Sequence, residues 1–125
     1  MSNKRITVVE TDPFVRRAKA LLDDATKQEI IDAVAENPEI GELIQGTGGC
    51  RKWRIARPGG GKSGGFRVIH YYYDETVPVF LLTVFDKTQQ VNITKAERNA
   101  LKDLSDRLVS TYRKKTEVPN VGNRK

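Results

Sequence analysis

A short β-branched run at Ile6–Glu10 predicts a first strand, and from there apolar residues fall at helical spacing as far as Ile44. Phe14, Ala18, Leu21 and Leu22 recur at 0, 4, 7 and 8, the period of a helix face. Asp12 is placed to N-cap that helix, with Pro13 at its first position. Asp23-Asp24 interrupts the pattern. Thr26 with Glu29 then reads as a capping box for a second helix, whose stripe is Ile30, Ile31, Val34 and Ala35. Asn37-Pro38 ends it. Ile40, Leu43 and Ile44 predict one more helical turn before Gly46-Thr47-Gly48-Gly49.

From Cys50 the period becomes two. Arg51, Trp53 and Ile55 share one face of a strand; Lys52, Arg54 and Ala56 share the other. Pro58–Gly65 is a loop, Phe66–Tyr73 a second strand and Asp74–Pro78 a turn. Val79–Phe85 is nearly all apolar and predicts a buried central strand. Thr94 with Glu97 caps a long final helix, lined by Leu101, Leu104, Leu108 and Tyr112. The order strand, two helices, three strands, helix predicts an α+β fold. In it, N-terminal helices and a C-terminal helix pack on a small twisted antiparallel sheet. One domain is expected over residues 1–115, then a flexible tail over 116–125.

Charge sharpens this picture. The chain carries 22 basic and 16 acidic residues, a net +6. Between Leu43 and Tyr73 there is no acid, and there are six bases: Arg51, Lys52, Arg54, Arg57, Lys62 and Arg67. The remainder is 16 against 16, so the whole excess sits in this segment. A basic segment on a neutral body is a candidate polyanion site. The single cysteine, Cys50, excludes an internal disulfide and a cysteine-based metal cluster; the single histidine, His70, argues against a zinc site. No cofactor or metal is implied. No apolar leader or membrane-length run is visible, so a cytoplasmic protein without a membrane partner is expected.

Within the basic segment, Lys52 and Arg54 place two cations on one strand face, and Arg67 opens the neighbouring strand. Like charges gathered on a sheet cost stability, and an anion offsets that cost. Arg57-Pro58-Gly59-Gly60-Gly61-Lys62-Ser63 resembles a phosphate loop only in part. Ala56 stands where that motif needs glycine, and a strand follows where it needs a helix. His70 and Trp53 read as core residues. Tyr71 and Tyr73 share the Arg67 face, where they either stack on bases or pack.

These features in this order resemble the RelE/ParE superfamily of toxins from bacterial toxin–antitoxin pairs, nearest its HigB/RelE branch. The resemblance covers roughly residues 5–113. It is strongest over Gln45–Ala56, Gly65–Tyr72 and Leu81–Lys87. It implies a ribosome-dependent mRNA interferase, a metal-independent endoribonuclease. In that chemistry the ribose 2′-oxygen attacks the adjacent phosphate and the 5′-oxygen leaves, by positioning and charge stabilisation. The implied catalytic residues are Lys52, Arg54, Arg67 and Lys87. Arg51, Arg57, Lys62, Tyr71 and Tyr73 are the expected RNA-binding residues around them. A lysine among cations is the implied base. The implied partners are a cognate antitoxin, the ribosome and mRNA. The chain departs from well-known members at Thr88, where arginine is frequent. Tyr112 is the only tyrosine near its C-terminus. A gyrase inhibitor of the ParE type and a non-catalytic RNA- or DNA-binding module remain the alternatives.

Overall fold

The alternating stretch folds as a three-strand antiparallel meander: β3 (Cys50–Ile55), β4 (Phe66–Tyr71) and β5 (Val79–Asp86). The structure, a computed structural model, describes residues 5–57, 65–88 and 93–117. Lys62 and residues 118–125 of the expected 116–125 tail lie outside the described residues; residues 116 and 117 belong to the final helix. Before the meander come β1 (Val8–Glu10), α1 (Asp12–Leu21), α2 (Asp24–Glu36) and a two-residue β2 (Glu42–Leu43); α3 (Lys95–Glu117) follows it. The sheet order is β1-β5-β4-β3-β2. The α+β class and the element order are as expected, with two differences at the edges. β1 runs parallel to β5, because two helices intervene and return the chain to the same end of the sheet. The segment read as an extra helical turn is β2, antiparallel to β3. Gly41, with φ at +94°, breaks the helical path there.

The helix starts also differ in detail. Thr11, not Asp12, is the N-cap of α1, and its hydroxyl donates to Leu81 O at 2.8 Å. Asp23 caps α2 by accepting from Thr26 N–H at 2.7 Å. That carboxylate starts the helix three residues ahead of the predicted capping box, and Thr26 is buried inside it. The box predicted for α3 does form: Glu97 N–H donates to Thr94 Oγ1 and Thr94 N–H to Glu97 Oε1, at 3.1 and 2.9 Å.

The sheet carries apolar residues on both faces. Phe66, Val68, Val79, Leu81 and Val84 meet Phe14, Ala18, Ile30 and Val34 of α1 and α2. Cys50, Ile69, Tyr71, Phe80, Leu82 and Phe85 meet Leu101, Leu104, Leu108 and Tyr112 of α3. Among the described residues, the outer edge of β5 beyond Leu81 has no strand partner, and α1 covers it, with Arg17 Nε donating to Val84 O at 3.2 Å. A bulge lies between Ile69 and His70: Ile69 pairs with Thr83, but His70 pairs with Leu81. Phe80 and Leu82 therefore face α3, and after the extra residue Phe85 faces α3 again. No helix among the described residues is long and apolar enough to cross a membrane.

Gly41 offers a test of this account. A Cβ there meets Lys52 O at 2.6 Å, and φ is positive. Gly41→Ala is expected to destabilise the protein by about 1–3 kcal/mol, read as a lower urea midpoint. An unchanged midpoint contradicts the tight approach of this turn to β3.

Candidate functional site

Strand parity sorts the basic segment. Lys52 and Arg54 lie on the α3 face of β3, and Arg67 on the same face of β4. Arg54 and Arg67 are direct partners across the ladder. Like charges directly opposite each other repel, so this pair costs stability in the free protein. Arg54 is exposed and Arg67 half-buried. Arg67 Nε is buried without a hydrogen-bond partner, an unmet donor whose desolvation an acceptor would repay. Among the described residues, neither guanidinium has an ion-pair partner. Phe85 stands opposite Arg67 on β5, and Lys87 follows two residues later, its N–H bonded to Gly65 O. Parity puts Lys87 on the face of Phe85. Lys52, Arg54, Arg67 and Lys87 thus share one face, at the end of the sheet away from Tyr71.

Two hollows flank this face under the start of α3. One, of about 380 Å³, is lined by Ile69, Thr83, Phe85, Leu101, Arg17 and Glu97. The other, of about 590 Å³, is lined by Lys52, Glu42, Gln45, Ile93 and Arg98. Glu42 stands opposite Lys52 in the ladder, yet the two form no ion pair. Among the described residues, no three His, Cys, Asp or Glu side chains come together.

The family model of the RelE toxin of the RelE/RelB toxin–antitoxin system matches residues 6–121. The chain belongs to the RelE toxin family. It is a toxin of a toxin–antitoxin system, and its implied partner is an antitoxin. Among solved structures, it is similar to the E. coli toxin RelE, a double arginine-to-alanine mutant in the free state. The two share 19% identity over 69% of this chain and 87% of that one, with a TM-score of 0.53. At that identity the likeness shows the fold.

The other expected RNA-binding residues of this RelE-family toxin sit elsewhere. Arg51 is on the opposite face, where its guanidinium donates to Glu39 O and Gly41 O at 3.0 and 3.1 Å. It clamps the turn before β2 rather than facing the cations. Arg57 also follows the parity of the opposite face. It pairs with Asp86 at 2.9 Å and lies over the Phe66 ring at 4.7 Å. Hydrogen bonds from Thr88 N–H and its hydroxyl, then from Arg57, hold the Asp86 carboxyl below its usual pKa. Tyr71 is only 3% exposed, packed beneath α3, and burial pushes its phenol up to about 12. A residue so covered offers no face to a base. Tyr73 is exposed at the far end, its ring 5.2 Å from the Arg113 guanidinium.

His70 is fully buried, as read from the sequence. Trp53 Nε1–H donates to its Nδ1 at 2.9 Å. Indole is only a donor, so Nδ1 accepts and Nε2 carries the proton, which it donates to Pro38 O at 2.7 Å. Both ring nitrogens are occupied on the face opposite the cations. Tyr112 packs in the α3 cluster with Leu108. Sequence reasoning passed over Arg17 and Arg98, which line the two hollows. Arg98 left a signal, a cation three residues before Leu101 on the apolar stripe. Arg17 left none, since it lies on an exposed helix position.

Proposed function

We propose that this toxin is a ribosome-dependent mRNA interferase whose active face is Lys52, Arg54, Arg67 and Lys87. The observation that carries the reading is the direct Arg54–Arg67 pairing, with a buried Arg67 Nε left without a partner. A protein retains opposed, unpaired guanidinia where an anion resolves them. In the reaction, the ribose 2′-oxygen forms a bond to phosphorus as the bond to O5′ breaks. Charge builds on the non-bridging oxygens, and Arg67 with Arg54 neutralises it. Arginine suits this role because its fork binds two oxygens and stays charged. The proton of the 2′-hydroxyl goes to a base and O5′ acquires one. His70 is closed off by Trp53 and Pro38, so we assign these transfers to Lys52 and Lys87. The products are a 2′,3′-cyclic phosphate and a 5′-hydroxyl. The cognate antitoxin holds the enzyme inactive, and the site of action is the cytoplasm.

The test is primer extension on total RNA after induction of the toxin alone, with purified programmed ribosomes in parallel. New 5′-hydroxyl ends inside translated messages, absent from the same message without a start codon, are expected. Growth arrest without such ends sinks the interferase reading and points to topoisomerase inhibition.

A further inference from the structure

We infer that Arg98, across a hollow from the catalytic Lys52, forms a second phosphate subsite beside Arg67, holding the RNA backbone next to the phosphate being cut. This rests on the RNA-cleaving reading of the face. Arg98 belongs to the first turn of α3, three residues before Leu101 and seven before the buried Ser105, so it lies on the stripe that faces the sheet. It is half-buried and shares with Lys52 the hollow of about 590 Å³.

Three unfavourable placements coincide at this residue. A stripe position one turn before Leu101 suits an apolar side chain, not a guanidinium. A cation in a helix's first turn meets the positive end of the helix dipole. And Lys52, on the other wall, repels it. Local compensation is missing. Among the described residues, neither the Arg98 nor the Lys52 side chain makes a hydrogen bond or ion pair. Glu42 lies in the same hollow, exposed and unpaired. Glu97 accepts from Thr94 N–H in the capping box.

A phosphodiester resolves all three, with Gln45 on the wall to supply amide donors. Lys52 belongs both to this hollow and to the cation face, so one strand of RNA reaches both sites without leaving the surface. The role assigned to Arg98 is binding and positioning, one phosphate removed from the reacting atoms.

The test is fluorescence anisotropy of a labelled single-stranded RNA oligonucleotide with the full chain, over a salt series. Arg98→Ala is expected to weaken binding about tenfold at low salt. It should lower the slope of log affinity against log salt by about 0.7, the share of one phosphate contact. Arg98→Lys should restore the slope. Arg107→Ala removes the same charge from the exposed face of α3 and should leave the slope unchanged. An unchanged slope in Arg98→Ala overturns the subsite, as does an equal loss in Arg107→Ala, which marks a diffuse charge effect. Absence of RNA binding by the unmodified toxin overturns it too. Should the alanine variant fail to fold, Arg98→Gln keeps the stem and reads the same slope. On programmed ribosomes, Arg98→Ala should raise the half-saturating concentration while slowing single-turnover cleavage far less than Arg67→Ala. If the unmodified toxin binds RNA with this dependence yet cuts nothing, the interferase reading fails and the subsite stands.

Discussion

Arg67→Ala is expected to slow mRNA cleavage about a hundredfold to a thousandfold, the usual cost of removing one preorganised charge donor. The same change should leave the fold intact and raise stability by about 0.2–1 kcal/mol, because it relieves the repulsion between Arg67 and Arg54. The opposite signs are the point. A residue kept for packing loses stability when truncated; one kept for an anion gives some back. Arg67→Lys should recover only part of the rate, since an ammonium lacks the two-pronged fork. The measurements are single-turnover cleavage on programmed ribosomes and urea denaturation on the same samples. A folded Arg67→Ala variant with full cleavage would falsify the assignment of this face.

Stability should fall between pH 6.5 and 4 because of one residue, His70. Burial, opposed by its bond to Pro38 and assisted by the nearby Arg51 charge, lowers its pKa from 6.5 to about 4. In that interval the unfolded chain binds a proton that the folded chain refuses, so acid favours unfolding. At pH 5 the loss relative to pH 7 is on the order of 2 kcal/mol. Asp23, Asp74 and Asp86 are held below the usual 3.8, so their contribution persists through this window and is lost only at lower pH. His70→Gln should flatten the dependence while lowering stability at pH 7, since glutamine cannot satisfy Trp53 and Pro38 with the same reach. Urea midpoints at pH 7 and pH 5 decide the matter. Equal midpoints for the unmodified protein would show that His70 is not held neutral by burial.

Much of this was legible in the chain because local rules and the fold agree. The Thr94–Glu97 box started α3 where the pattern placed it, and the alternation of β3 separated Lys52 and Arg54 from Trp53. That alternation also placed Arg51 on the apolar face, a sign that its charge serves the fold, as the Arg51 clamp on Glu39 and Gly41 shows. Other features depend on distant chain. Tyr71 and Arg67 share one face of β4, but α3 covers only the Tyr71 end, and spacing says nothing about how far a helix reaches. The two residues of β2 are too few for a period, and the parallel pairing of β1 is set by the path of α1 and α2. Arg98 was passed over because its stripe leads towards leucines.

The bulge between Ile69 and His70 makes the cation face a matter of counting. Upstream of it, β5 presents even-numbered residues to α3; downstream it presents odd-numbered ones, Phe85 and Lys87 among them. Leu82 is the residue the bulge adds, and deleting it would close the ladder to strict alternation. Thr83 would still stand opposite Ile69, Phe85 opposite Arg67, and Lys87 on their face. β4 and β3 fix which face is which, and β5 takes up the odd residue where its ladder is already loose. Chains one residue shorter here should fold and keep the aim of their reactive end, so this strand can lose length in a lineage without the toxin losing its bite.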